Sequence, residues 1–220
     1  MSILKERYSL VIFDWDGTLM DSTGRIVSAM QTTARNLSLP VPSVEKVKSI
    51  IGLGMDEVLD VIIPEADLDT RNKMLVEYRY QYIEGDNTPT PLFPGSRDLI
   101  SWLKEQGVIV TVATGKARAG LNRVLGEENL LDFFHHTICA DEAQSKPNSE
   151  MVERLINVSN STKSETIVIG DSVHDLAMAN NARVDSIGVT SGANSRQTLE
   201  SHRPIAILDS VCHLKDWFKQ

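Results

Sequence analysis

Two aspartates that flank one tryptophan stand where an apolar run ends, in the stretch "IFDWDGTLMDS" at residues 12–22. The carboxyl groups of Asp14 and Asp16 are so close along the chain that their negative charges repel each other. This arrangement is costly unless a cation, a proton or a chemical task requires it. We therefore take this stretch as the first candidate for a functional site.

Polar side chains also follow other apolar runs of the chain or begin a predicted helix. Ligands of parallel α/β sheets collect where the strands end at their carboxyl edge. We therefore expect these side chains to share one crevice with the first aspartate pair. They are Thr114 and Gly115 in "VATGK", Lys146 in "SKPNSEM", and Asp171 and Asp175 in "GDSVHD".

Such a crevice contains the groups that phosphoryl transfer requires. Several carboxylates in one place favour Mg²⁺, which prefers oxygen ligands. One carboxylate can attack phosphorus as a nucleophile, and a second can protonate the leaving oxygen and later activate water. A lysine, a threonine hydroxyl and exposed backbone N–H groups can hold the oxygens of the transferring group. The chemistry that these residue types favour is therefore phosphoryl transfer.

Short apolar runs alternate with helical patterns over most of the chain. This alternation predicts an α/β fold with a Rossmann-like, mainly parallel sheet flanked by helices. The predicted strands are 8–13, 108–113, 166–170 and 186–190, with 206–208 as an edge strand, and the predicted helices are 95–106, 117–129, 148–158, 174–182 and 210–218.

Residues 21–90 interrupt this alternation. Apolar residues recur there at helical spacing, and no pattern of a buried strand is present. The proline-rich stretch "NTPTPLFPG" at 87–95 then leads back into the α/β body. We interpret 21–90 as a helical domain inserted after the first strand, with 1–20 and 91–220 forming the α/β core. The alternative is a set of ordinary helices that lie on the sheet.

The composition is ordinary for an enzyme, with 41% hydrophobic and 24% charged residues. A net charge of −8 argues against nucleic acid as the main partner. No stretch approaches 18 uncharged apolar residues, so we expect no membrane partner. Cys139 and Cys212 are expected to be buried, reduced thiols, which is typical of a cytoplasmic protein. We expect a monomer or a homodimer.

The four motifs resemble, in order, those of the haloacid dehalogenase-like (HAD) superfamily of phosphohydrolases. The resemblance extends from about residue 8 to 215, and four ordered motifs are far more specific than any one of them. It implies a helical cap after the first strand, as in phosphoglycolate phosphatase-like members. It also implies Mg²⁺ as cofactor and hydrolysis of a small phosphorylated metabolite, a phosphomonoester, through an aspartyl-phosphate intermediate.

The resemblance also implies a role for each motif residue. Catalysis would fall to Asp14, the nucleophile, to Asp16, the general acid and base, and to Lys146. Phosphate binding would involve Thr114, Gly115 and Lys146. The metal ligands would be Asp14, Asp171 and the backbone carbonyl of Asp16, with Asp175 in a supporting role and with Thr18 and Asp21 making structural hydrogen bonds. Lys116 is a further supporting candidate, because it follows Thr114 closely in sequence.

Several functions use this set of motifs. A mutase of the β-phosphoglucomutase type would return the phosphoryl group to a sugar, and pyrophosphate or nucleotide hydrolysis is a further alternative. The dehalogenase branch is disfavoured because it lacks a carboxylate at the position of Asp16. Outside enzymes, the alternatives are a catalytically silent phosphate-binding protein and a signalling receiver domain, which chain length and motif order disfavour.

Three side chains near the motifs have two interpretations each. Lys116 and Arg118 follow Thr114 and can meet a second anionic group of the substrate, or they can belong to a solvated first helical turn. Trp15 can pack against substrate or cap, or it can lie in the core beneath the loop.

Overall fold

The computed structural model describes residues 7–219, and its centre is a six-stranded sheet in which every neighbouring pair is parallel. The strand order is β3-β2-β1-β4-β5-β6. The strands are β1 (Leu10–Phe13), β2 (Ile109–Thr114), β3 (His136–Cys139), β4 (Thr166–Gly170), β5 (Asp185–Val189) and β6 (Ala206–Leu208). The predicted α/β, Rossmann-like fold is therefore confirmed.

The first strand lies at the centre of the sheet. Ile12 pairs with Thr111 of β2 on one side and with Val168 of β4 on the other. All four residues of β1 are buried, as expected for a strand with helices over both faces. The order reverses between β1 and β4, so the polar loops after these two strands open into one crevice.

Helices cover both faces of the sheet and bury two hydrophobic clusters against it. One cluster includes Phe13, Ile100 and Leu121, and the other includes Ile12, Leu155 and Met178. Adjacent residues of β1 thus point to opposite faces. The helices of this part are α5 (Ser96–Glu105), α6 (Arg118–Glu127), α7 (Glu150–Val158), α8 (Val173–Ala182), α9 (Arg196–Glu200) and α10 (Leu214–Trp217).

Three details of this part differ from the sequence-based expectations. Strand β3 was not predicted, because only Ile138 and Cys139 of its four residues are buried and the apolar run is too short. The predicted helix 210–218 is a 3₁₀ turn, Val211–His213, followed by α10. Cys212 is exposed, so the expectation of a buried thiol holds only for Cys139.

Between β1 and α5, residues 23–85 are mainly helical and have a hydrophobic cluster of their own. Met30, Val47, Leu59 and Met74 are among its buried members. We call this group the insertion helices: α1 (Thr23–Asn36), α2 (Val44–Lys48), α3 (Met55–Ile62), α4 (Leu68–Tyr80) and the π-helical turn Gln81–Gly85.

Within residues 7–219, each helix is too short or too polar to cross a lipid bilayer.

Candidate active site

The side chain of Asp14 lies immediately beyond β1 and is almost completely buried. Its backbone N–H donates to the carbonyl of Ile169 in β4 at 2.9 Å, which continues the sheet by one residue. The ammonium group of Lys146 donates to Asp14 Oδ1 at 2.5 Å. Two positions that are 132 residues apart in sequence therefore form a buried ion pair at the carboxyl edge of the sheet.

The other partner of Lys146 is Asp175, whose Oδ1 lies 2.6 Å from the lysine Nζ. Asp175 stands in the first turn of α8, and its Oδ2 accepts from the backbone N–H of Ser172 at 3.0 Å. The hydroxyl of Ser172 accepts in return from the N–H of Asp175 at 3.3 Å, which completes a capping box. The start of this helix therefore fixes the carboxylate that holds Lys146 in place.

Asp171 follows β4 and is enclosed by backbone. Its Oδ1 accepts from the Thr18 hydroxyl at 2.9 Å, and its Oδ2 accepts from the N–H of Ala193 at 2.6 Å. Gly17, with φ +83°, and Gly192 lie so close to this carboxylate that a Cβ at either position would overlap it. Glycine is required at these two positions because the backbone approaches the carboxylate directly.

Three carboxylates and one ammonium group meet in this buried space. One oxygen each of Asp14, Asp171 and Asp175 lie within 4.8 Å of one another. Burial and the neighbouring carboxylates raise the pKa of Asp14 well above its usual range, although Lys146 opposes the shift. Burial and Asp175 raise the pKa of Asp171 to about 7. The group therefore has an excess of negative charge that either protons or a cation must neutralise.

A divalent cation fits this donor set. Asp14 Oδ2 is buried and has no hydrogen-bond partner, which is costly for a carboxylate oxygen unless another ligand binds it. Asp171 lies within the same small group and offers further oxygen lone pairs. Hard cations such as Mg²⁺ take oxygen ligands of this kind.

The carboxyl group of Asp16 is held by residues other than those that hold Asp14, Asp171 and Asp175. Ser22 donates its hydroxyl proton to Asp16 Oδ1 at 2.5 Å, and Lys116 Nζ lies 3.0 Å from the same oxygen. The side chain of Asp16 is thus separate from the group of Asp14, Asp171 and Asp175.

Lys116 and Arg118, close neighbours in sequence, extend in different directions. The side chain of Lys116 is only 12% exposed, so its interpretation as part of a solvated helical turn is wrong. Arg118 binds Glu142 and the carbonyl and hydroxyl groups of Thr137, so its interpretation as a substrate contact is not supported.

The loop after β2 lies directly beneath the insertion helices. Thr114 is fully buried, and its hydroxyl oxygen accepts from the N–H of Lys116 at 3.2 Å. A Cβ at Gly115 would stand 2.6 Å from the carbonyl oxygens of Gly52 and Leu53. Helix α3 begins at Met55, and the residues just before it lie against the loop that contains Thr114.

Trp15 is completely buried in the α/β core. Its indole N–H faces the sulfur of Met20 at 3.3 Å, and its ring meets Phe134 edge to face. The interpretation of Trp15 as a core residue beneath the loop is therefore the correct one.

The sequence pattern of the family described as "Haloacid dehalogenase-like hydrolase" matches residues 11–189 of the chain. The chain belongs to this family. A Dickeya dadantii protein named "Probable phosphatase IndB" is 34% identical over 91% of this chain and 89% of its own length. The Pseudomonas putida phosphoglycolate phosphatase is 28% identical over 92% of this chain and 76% of its own length.

Among solved structures, a hydrolase from Pseudomonas syringae superposes with a TM-score of 0.86 at 20% sequence identity. The match covers 95% of this chain and 97% of the other, which shows a common fold. The membership of the HAD family that the four motifs predicted is thus confirmed, and the chain is an enzyme of the hydrolase class.

Two residues of this HAD-family site were not singled out from the sequence. Ser22 lies in the opening stretch but follows no strand, and Tyr82 lies among the apolar residues that recur at helical spacing in 21–90. In the structure, Ser22 contacts Asp16, and the Tyr82 hydroxyl lies 3.1 Å from Lys116 Nζ. The contact between Tyr82 and Lys116 has no local sequence signal, because it joins elements that are 34 residues apart. The contact between Ser22 and Asp16 is local, but Ser22 does not follow a strand end.

Proposed function

We propose that the protein is a Mg²⁺-dependent phosphatase that cleaves a small phosphomonoester through an aspartyl-phosphate intermediate. The observation that carries this proposal is the state of Asp14. One carboxylate oxygen is fixed by Lys146, and the other is buried without a partner beside two further carboxylates. A buried carboxylate that is oriented in this way suits a nucleophile.

In the first step, one carboxylate oxygen of Asp14 attacks phosphorus, and the bond from phosphorus to the ester oxygen breaks. Asp16 donates its proton to that oxygen, so that the product leaves as an alcohol. In the second step, Asp16 removes a proton from water while the water oxygen attacks phosphorus. The bond between Asp14 and phosphorus then breaks, and the products are phosphate and the original carboxylate.

Phosphate binding is assigned to the groups around Asp14. Lys146 neutralises charge on the transferring phosphoryl group, while its two ion pairs fix its position. The Thr114 hydroxyl and the backbone around Gly115 supply donors from the loop after β2. Asp175 acts through Lys146, because its two oxygens bind the lysine and the helix start.

Mg²⁺ would be held by Asp14, Asp171 and the backbone carbonyl of Asp16. When bound, the ion neutralises the carboxylates and the phosphoryl oxygens, which otherwise repel each other. Thr18 and the N–H of Ala193 would orient Asp171 toward it.

The substrate is proposed to be small because the insertion helices cover the site. We propose that residues 21–90 act as a cap that opens to admit substrate and closes during catalysis. The relatives named phosphoglycolate phosphatase support a small phosphorylated acid as substrate. We also propose a cytoplasmic location, which the two free cysteines support.

The test is release of inorganic phosphate from a panel of phosphorylated metabolites, with Mg²⁺ or with a chelator. We expect release that requires Mg²⁺ and that falls by at least about 10³-fold in Asp14→Asn, because the nucleophile is lost. Thermal melting of the variant checks that it is folded. A folded wild-type protein that releases no phosphate, or an Asp14→Asn variant of normal activity, would refute the proposal.

A further inference from the structure

The general acid and base of the proposed function is connected to the insertion helices by two side chains. Lys116 Nζ donates to Asp16 Oδ1 at 3.0 Å and to the Tyr82 hydroxyl at 3.1 Å. Asp16 and Lys116 belong to the α/β core, whereas Tyr82 belongs to the π-helical turn Gln81–Gly85. All three side chains are nearly buried, with 11%, 12% and 8% exposure for Asp16, Lys116 and Tyr82.

Both contacts to the Asp16 carboxyl group fall on the same oxygen. Oδ1 accepts from Ser22 and from Lys116, and within residues 7–219 no protein group donates to Oδ2. Two donors that approach one oxygen from different elements fix the plane of a carboxyl group. The second oxygen is then left for the exchange of a proton with the leaving group or with water.

The position of Tyr82 is itself fixed. The guanidinium carbons of Arg25 and Arg123 lie 6.0 and 5.9 Å from the centre of its ring. A π-helical turn is a rare departure from the α-helix that often marks a functional position, and here it contains Tyr82. Arg25 belongs to an insertion helix and Arg123 to the core, so the Tyr82 ring is held where the two parts meet.

We propose that Lys116 and Tyr82 are positioning residues that orient the carboxyl group of Asp16 only when the insertion helices lie against the core. This inference rests on the proposed function, because it assigns a task to the acid and base of that reaction. Opening of the insertion helices would remove the Tyr82 hydroxyl from Lys116. Proton transfer by Asp16 would thereby be confined to the closed site, where bulk water is excluded.

The test compares two substrates that differ in their need for a proton. An alkyl ester such as glycerol phosphate releases an alkoxide that must be protonated, whereas p-nitrophenyl phosphate releases a stable phenolate. The value of kcat/KM covers the steps up to loss of the leaving group, so it reports this difference. Neither leaving group carries a second anion, so a direct contact of Lys116 with an anionic substrate would not affect the result.

We expect Lys116→Met to lower kcat/KM for glycerol phosphate by roughly 10- to 100-fold and for p-nitrophenyl phosphate by less than about threefold, within the range of acid–base effects. Tyr82→Phe keeps the ion pair intact and protects the test against misfolding. It should lower kcat/KM for glycerol phosphate by about three- to tenfold, and again by more than for p-nitrophenyl phosphate. The double variant should be no worse than Lys116→Met, because both changes interrupt one chain of contacts.

Arg118→Met and Tyr80→Phe are the matched controls. Arg118 is a neighbouring cation that binds Glu142, and Tyr80 is a half-exposed tyrosine that precedes the π-helical turn. Both variants should have the kcat/KM of the wild type on both substrates. Equal losses of kcat/KM on the two substrates, or no loss on either, would overturn the inference. A folded wild type that is inactive on the whole panel of phosphorylated metabolites would instead refute the proposed function.

Discussion

At the scale of single residues, the environment of each acidic side chain differs although all lie in one crevice. Asp175 has both oxygens engaged, by Lys146 and by the start of α8, whereas Asp14 retains one buried oxygen without a partner. Asp16 is held by Ser22 and Lys116 instead. Identical chemical groups thus receive different tasks from their hydrogen-bond partners.

The charge of the Asp171 site predicts how magnesium stabilises the protein at different pH. Burial and Asp175 raise the pKa of Asp171 from 3.8 to about 7. Between these values the folded protein binds more protons than the unfolded chain, so this group's contribution to the free energy of unfolding falls as pH rises. Mg²⁺ binds the deprotonated carboxylates, so the ion replaces the lost protons. We expect saturating Mg²⁺ to raise Tm by more at about pH 8 than at about pH 6.

Thermal melts with and without Mg²⁺ at the two pH values measure this difference. Asp171→Asn should lose the magnesium-induced increase at both values, because the amide binds the ion poorly. An increase in Tm that is the same at both pH values would contradict the prediction.

The residue types of the site could be recognised from sequence, but their pairings could not. Asp14, Lys146 and Asp171 were indicated because each follows a strand or precedes a helix. Lys116 remained ambiguous, since its role depends on Tyr82, a residue 34 positions away on another element. Contacts of this kind arise from packing and leave no local pattern.

At the scale of elements, the core and the insertion helices approach each other tightly at Gly115. A side chain there would meet two backbone carbonyl oxygens, of Gly52 and Leu53, which cannot rotate away. We expect Gly115→Ala to keep the sheet folded but to displace the start of α3 from the site. The value of kcat/KM should fall by roughly tenfold or more, because small displacements of a closing element have large effects on rate.

Steady-state kinetics measures that effect, and far-ultraviolet circular dichroism checks the fold. Gly120→Ala is the matched control, because a Cβ at that glycine of α6 meets nothing within 4 Å. Normal activity of Gly115→Ala would show that the tight contact has no role in closure.

The strength of the local signal decided which elements could be predicted. Strand β4, "TIVIG", is buried throughout and was predicted with the bounds that the structure shows. Strand β3, "HTIC", begins with two half-exposed polar residues at the edge of the sheet and was missed. The π-helical turn Gln81–Gly85 could not be predicted either, because the sequence "QYIEG" is equally compatible with an ordinary α-helix.

At the scale of the whole molecule, the insertion helices have a hydrophobic cluster that is separate from the two clusters against the sheet. Leu59 is a buried member of that cluster. We expect Leu59→Ala to lower the free energy of unfolding of the insertion helices by about 2–5 kcal/mol. Their amide protons should then exchange faster, while those of β1, β2 and β4 keep their protection.

Hydrogen exchange followed by mass spectrometry resolves these segments. Leu155→Ala, in a cluster against the sheet, is the reciprocal control and should affect both parts. Equal loss of protection in both parts of Leu59→Ala would mean that residues 21–90 and the sheet unfold as one unit.

The central place of β1 has a consequence for biosynthesis. Its residues emerge from the ribosome before those of β4, so Ile12 has no partner on that side of the sheet until Val168 has been synthesised. Until then the nascent polypeptide presents an apolar strand with open backbone groups, which is a template for intermolecular association. Chains released before that point should therefore be prone to aggregate.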